Sequence, residues 1–236
     1  MEIRSPKTEI RDLDWLPFLL QTSDALFPTG AYAHSLGFEE IVRLGLVRDE
    51  ASLAAFLREQ ICPALEHHEL PYLRFAFDAQ SLDERCALDA GISAWKLARE
   101  SREASAQLGG RRLRALRTIA DTAVLAEFDA AIREGRARGH HLVVCGLQAQ
   151  VENVPLHAAL ATYLYQSLAA ICAAALKLIR IGQDACQRVL RAACQDIASI
   201  VQRSLALSRA DAGWFNPLLE IAAMRHERAE ERLFIS

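Results

Sequence analysis

What the chain lacks narrows the field first. No stretch alternates polar and apolar residues over a strand's length, which argues against a sheet-based fold. No G-x-x-x-x-G-K-[ST] run is present. Gly109-Gly110-Arg111-Arg112 is the nearest approach and has the wrong spacing, so the chain is not itself a P-loop nucleotide hydrolase. There is no zinc signature, no nucleophile elbow and no carboxylate pair set apart by its context, which leaves no catalytic residue to assign. The net charge of −3 and pI near 6.2 give no electrostatic footprint for nucleic acid. Six cysteines (Cys62, Cys86, Cys145, Cys172, Cys186 and Cys194) form no CxxC pair. No apolar leader follows Met1-Glu2-Ile3-Arg4, so they read as reduced thiols packed in the helices of a cytoplasmic protein.

What is present is apolar and helical. Hydrophobic residues make up 52% of the 236, against 7 prolines and 11 glycines, a balance that favours a compact, ordered chain. Leu53, Phe56, Leu57, Ile61 and Leu65 share one helical face behind a cap at Asp49, and Asn216-Pro217 opens a short helix to about Met224. Cys186, Val189, Leu190, Ala193, Ile197, Ile200, Val201 and Leu205 form the cleanest amphipathic stripe. Gly91 and Gly109-Gly110 are expected to interrupt helices. Leu113, Leu116, Ala120 and Val124 are expected to continue one face, and Gly182 to end a helix as its C′ residue.

Ala158 to Leu176 carries no charge, which raises the question of a membrane span. Its alanines, with Thr162, Gln166 and Ser167, make that transfer weak, so it reads as the central helix of a bundle or a face buried between subunits. The expected architecture is all-α: one domain, residues 1–236, of about ten helices around this long alanine-rich helix. Residues 1–11 and 225–236 are expected to be loose segments that dock partners.

The richest polar stretch surrounds a turn. Pro28 fixes its own φ, Gly30 tolerates positive φ, and Tyr32, His34, Ser35, Glu39 and Glu40 follow at once. The chain ends on Arg232-Leu233-Phe234-Ile235-Ser236, and an apolar terminus is a liability unless it docks. For metal, the weak candidates are His141 and Cys145, at i and i+4 on one helical face; His67-His68 diverge by about 100° on a helix. No tightly held metal or cofactor is expected.

Four segments, in order, resemble one family. Pro28-Thr29-Gly30-Ala31-Tyr32-Ala33-His34-Ser35-Leu36-Gly37-Phe38-Glu39 looks like the signature of the urease accessory protein UreF family. Glu103-Ala104-Ser105 with Gly109 is similar to its E-x-S…G element, and Leu178-Ile179-Arg180-Ile181-Gly182-Gln183 to its R-L-I-P-L-G-Q element. Met224-Arg225-His226-Glu227 and Arg232-Leu233-Phe234-Ile235-Ser236 resemble its M-R-H-E…R-L-F-x-S close. The chain departs from the pattern with Lys177 in place of arginine, Arg180 in place of proline and Phe38 in place of leucine. Lysine does not reproduce a bidentate arginine contact.

The resemblance implies an all-helical, non-enzymatic assembly factor of the cytoplasm that forms a homodimer. It would bridge a GTPase accessory protein of the UreG type and a scaffold of the UreD/UreH type, and tune the GTPase. The complex, not this chain, would handle nickel and GTP on the way to apo-urease. Partner-contact residues carried over are Pro28, Gly30, Tyr32, His34, Ser35, Glu39, Arg180, Gln183, Arg225, His226, Glu227, Arg232, Leu233, Phe234 and Ser236. Arg180 and Arg225 are the arginines considered for reaching the partner's nucleotide. The alternative is an all-α small-molecule-binding domain with its cavity beside the alanine-rich helix.

Overall fold

The computed structural model describes residues 13–29 and 37–228. The expected contacts Gly30, Tyr32, His34, Ser35, Arg232, Leu233, Phe234 and Ser236 lie outside the described residues, as does the 1–11 segment.

Among the described residues every regular element is helical. In order they are α1 (Trp15–Ser23), α2 (Phe38–Arg43), α3 (Glu50–Phe56), α4 (Cys62–Ala64), α5 (Leu70–Asp78), α6 (Leu82–Trp95), α7 (Arg99–Ile119), α8 (Ala123–Arg133), α9 (His141–Val151), α10 (Leu156–Leu178), α11 (Gln183–Cys194), α12 (Ile197–Ala206) and α13 (Pro217–His226). Between α3 and α5 the chain never leaves helix. Two wider π turns, Leu57–Ile61 and Leu65–Glu69, flank α4, and Pro63 and Pro71 sit in the first turns of α4 and α5 that follow them. The all-α expectation holds, with the expected stripe of Leu53, Phe56, Leu57, Ile61 and Leu65 fully inside.

The caps explain several starts. Asp49 accepts from Ser52 N at 2.9 Å while Ser52 Oγ accepts from Asp49 N, a closed capping box. Ser81, Thr122 and Asn216 each accept from the backbone N–H three residues on.

α9 is the most enclosed helix, burying Leu142, Val143, Val144, Gly146, Leu147, Gln148 and Ala149 between α5 and α7. Two glycines let the backbones close in. A Cβ on Gly146 would stand 2.5 Å from Leu73 O, and one on Gly109 would stand 2.0 Å from Gly139 O. α10 lies along α5, α11 and α12 and buries Leu160, Leu164, Leu168, Ile171 and Cys172. Its opposite stripe, Ala158, Ala161, Tyr165, Ala169, Ala173 and Leu176, is left partly or fully open.

Four local expectations are corrected. Gly91 sits inside α6 against Tyr72, and the break falls instead at residues 96–98. Gly109-Gly110 lies within the unbroken α7, because its smallness serves packing against the turn before α9 and not a bend. Leu113 and Leu116 share a buried face of α7, but that helix stops at Ile119 and Val124 belongs to α8. Gly182 is the N-cap of α11 at φ −79°, not a C′ residue; extended Ile179 ends α10.

Candidate functional site

The segment before Gly30 is fixed by a residue far away in sequence. Arg112, buried on α7, donates from Nε to Gln148 Oε1 at 2.6 Å and from Nη2 to Thr22 O at 3.2 Å. Gln148 Nε2 donates to Thr22 Oγ1 at 2.7 Å, and the Arg112 guanidinium lies 5.5 Å from the Phe27 ring centroid. Phe27 and Thr29 are buried, while Pro28 is exposed.

After the signature turn, Gly37 adopts φ 80°, a left-handed conformation suited to glycine. A Cβ there would also stand 3.1 Å from Ala223 N, so the glycine lets α13 close on the start of α2. Phe38 then enters the core against Phe56, ring centroids 5.4 Å apart.

That approach assembles a polar junction of α2, α7 and α13. His226 is 1% exposed, with Nδ1 3.0 Å from Glu100 Oε2 and Nε2 3.2 Å from Glu39 Oε2. Beside it, buried Glu40 accepts from Arg43 Nη2 at 2.7 Å and pairs with Arg225 Nε at 3.0 Å. The Arg43 hydrogen bond, opposed by burial, holds the Glu40 carboxyl below its ordinary range. Arg99 closes the rim by donating to Glu227, and Glu220 Oε2 accepts from Ala98 N at 3.0 Å.

Of the expected contact residues, Glu39, Arg225, His226 and Glu227 therefore meet at one place. Arg225 is held by Glu40, which ties down one of the two arginines considered for a nucleotide. Arg180 and Gln183 are exposed at the α10–α11 connection, with Lys177 exposed near the end of α10. Ser105 and Gly109 are buried in α7, packing residues of the helix that carries Glu100. Sequence reading missed Glu40, Arg43, Glu100, Arg112 and Gln148 as members of these clusters: Glu40 and Arg43 pair locally at i, i+3, but the contacts that tie them to Arg225, and Glu100 and Arg112 to His226 and Thr22, join residues far apart in the chain.

The weak metal pair is in contact: His141 Nε2 and Cys145 Sγ are 3.4 Å apart. Burial pushes the Cys145 thiol up, away from the thiolate that binds metal, and no group of three His, Cys, Asp or Glu suited to a metal occurs among the described residues. A groove of about 500 Å³ runs between α3–α4 and α11–α12, lined by Leu57, Cys62, Glu66, Val189, Asp196 and Arg203 among others. None of its lining residues comes from α10, so the cavity expected beside that helix is not where the groove lies.

The class this architecture defines is an all-helical bundle in which short motifs, distant in sequence, are clamped together by ion pairs. The UreF family model matches residues 47–194. A protein named urease accessory protein UreF from Arthrobacter sp. is 39% identical over 218 residues, spanning 92% of this chain and 96% of that relative. The UreF of Paenarthrobacter aurescens is equally similar, 39% over 218 residues with the same coverage. That of Actinobacillus pleuropneumoniae is 32% identical over 224 residues, 92% of this chain and 97% of the relative. The chain belongs to the UreF family of urease accessory proteins.

Proposed function

We propose that this chain serves urease maturation as the bridging member of an accessory complex. It would join a GTPase of the UreG type to a scaffold of the UreD/UreH type, as a cytoplasmic homodimer. Nickel and GTP would be handled by the complex, with no cofactor held tightly here. The observation that carries the reading is the junction itself. Residues from the signature segment and the closing motif are locked together there on the helix that bears the mid-chain motif.

The polar groups at the junction pair with one another, which suits a scaffold more than a reacting centre. Its rim offers apolar surface: Ile221 and Met224 on α13 are 53% and 41% exposed, with exposed Leu97 next to the Ala98–Glu220 bond. The undescribed segments 30–36 and 229–236 both join the described chain here, at Gly37 and Arg228. On the outer side of α10, exposed Tyr165 and Leu176 among half-buried alanines support a two-fold contact between copies, since apolar surface favours burial. Tuning of the partner's GTP hydrolysis belongs to the same proposal, with exposed Arg180 as the arginine not tied by an ion pair in the junction.

The test is capture. The full chain, tagged, should retain both accessory proteins from cells that make them. A chain ending at Glu231 should stay helical and lose the scaffold. Normal capture by the truncated chain would overturn the assignment of the chain end to docking.

A further inference from the structure

Two bidentate ion pairs bracket the groove between α3–α4 and α11–α12. Arg188 of α11 donates to Glu50 of α3 from Nε at 3.0 Å and from Nη2 at 2.7 Å. Arg203 of α12 donates to Glu66 from Nε at 2.7 Å and from Nη2 at 2.6 Å. The paired residues are 138 and 137 positions apart, so the two walls run in the same direction and in step. A forked arginine at each end sets the spacing between them.

The floor is buried Leu57, Val189 and Ile200, and Ala54, Ala192 and Ala193 keep the sides low. From Ala54 to Glu66 the wall is about 18 Å long at helical rise, so a volume of about 500 Å³ makes a trough about 30 Å² in section. That admits a row of side chains and not a second backbone. Burial pushes the Cys62 thiol at its edge up to about 11, so the groove presents no reactive thiolate. Among the described residues, the buried polar atoms that lack a partner belong to Ser23, His68, Arg74, Arg85 and His140, none of which lines it. The groove therefore lacks the convergent polar set of a small-molecule site.

Its charges point to a different occupant. Arg58 stands eight residues past Glu50, and Asp196 stands eight past Arg188, each midway along its own wall. Arg58 donates to its neighbour Glu59 at 2.8 Å, and Asp196 has no ion pair among the described residues. We propose that the groove docks an amphipathic helix of another protein, which lays a ridge of small apolar side chains between the walls, with an acid beside Arg58 and a base beside Asp196. An apolar ridge alone fits many troughs, whereas opposite charges on its two flanks select one orientation. The site goes beyond the junction, since no lining residue comes from α2, α7 or α13.

The experiment places the photo-crosslinking residue p-benzoylphenylalanine at Ala192, an exposed wall position, in the full chain. It is made in cells that also make urease and its accessory proteins. Irradiation should join it to one helical segment of another protein that carries the apolar ridge and the two flanking charges. The same residue at Glu127, exposed on α8, should not reach that segment. Crosslinks to a second copy of this chain, to many unrelated sequences, or to nothing would overturn the proposal. Asp196→Lys changes an exposed side chain, so the fold should be kept while the crosslink yield falls about tenfold. Reversing the facing base of the captured segment to an acid should restore the yield. An unchanged yield in Asp196→Lys, or no recovery on reversal, would equally overturn it.

Discussion

Around α9 and around α13 the protein buries histidines in opposite ways. His140 is fully enclosed, with Nε2 2.7 Å from Ser93 Oγ and Nδ1 lacking a partner; His68 lies against the Tyr72 and Trp95 rings with Nε2 lacking one. Burial, reinforced by nearby Lys96, drives both down to about 4, so they are neutral at neutral pH. Asp89 is buried too, but it accepts from the backbone N–H groups of Arg138 and His140 at 2.6 and 2.7 Å rather than from an imidazole. His226, by contrast, meets a carboxylate at each nitrogen. The first region uses histidine as packing, and the second uses it to join three helices. What differs is the company each ring keeps, not the residue type.

The largest effect of a single substitution that would break this contrast is at the α9 side. Gly109→Ala drives a Cβ into Gly139 O, His141 N and the His140 carbonyl carbon, all backbone. A loss of about 3 kcal/mol or more is expected, visible as a Tm drop of about 10 °C. Next is His226→Ala, which leaves Glu39 and Glu100 facing one another without the ring. It should cost about 2 to 3 kcal/mol and show first as lost hydrogen-exchange protection in α13, with α9 still protected.

Acid should act on the other region. His68 and His140 titrate near 4 when folded and near 6.5 when unfolded, so the unfolded chain binds more protons between those values. Stability should therefore fall by about 2 kcal/mol for each ring, about 4 kcal/mol together, from pH 7 to pH 5, read as a lower urea midpoint. A flat profile over that range would show that the two rings are not buried as described. The smallest effect is expected from Arg225→Ala. Arg225 is half exposed and Glu40 keeps Arg43, so the loss should stay below about 1 kcal/mol by thermal unfolding.

Much of the helical order was legible because it is local. Asp49 with Ser52, the 53–65 stripe and Asn216-Pro217 carry their signals within a few residues. The glycines misled for the same reason. Gly109 and Gly182 read locally as breaks, yet Gly109 is small because the turn before α9 crosses it, and Gly182 starts a helix. The junction was legible only in part. Glu39 and His226 could be marked from motifs, but Glu39 lies 187 residues from its ring and Glu100 lies 126 away, distances over which no pattern in the chain announces a contact. Arg112 was hidden likewise, an arginine in a basic run that turns inward to hold Thr22 and Phe27.

The account rests on the chain being an assembly factor for urease, and a genetic complementation tests that most directly. Cells lacking this chain should have inactive urease at ordinary nickel concentration. The full chain should restore the activity, and a folded chain ending at Glu231 should not. Fully active urease in cells without the chain would contradict the account.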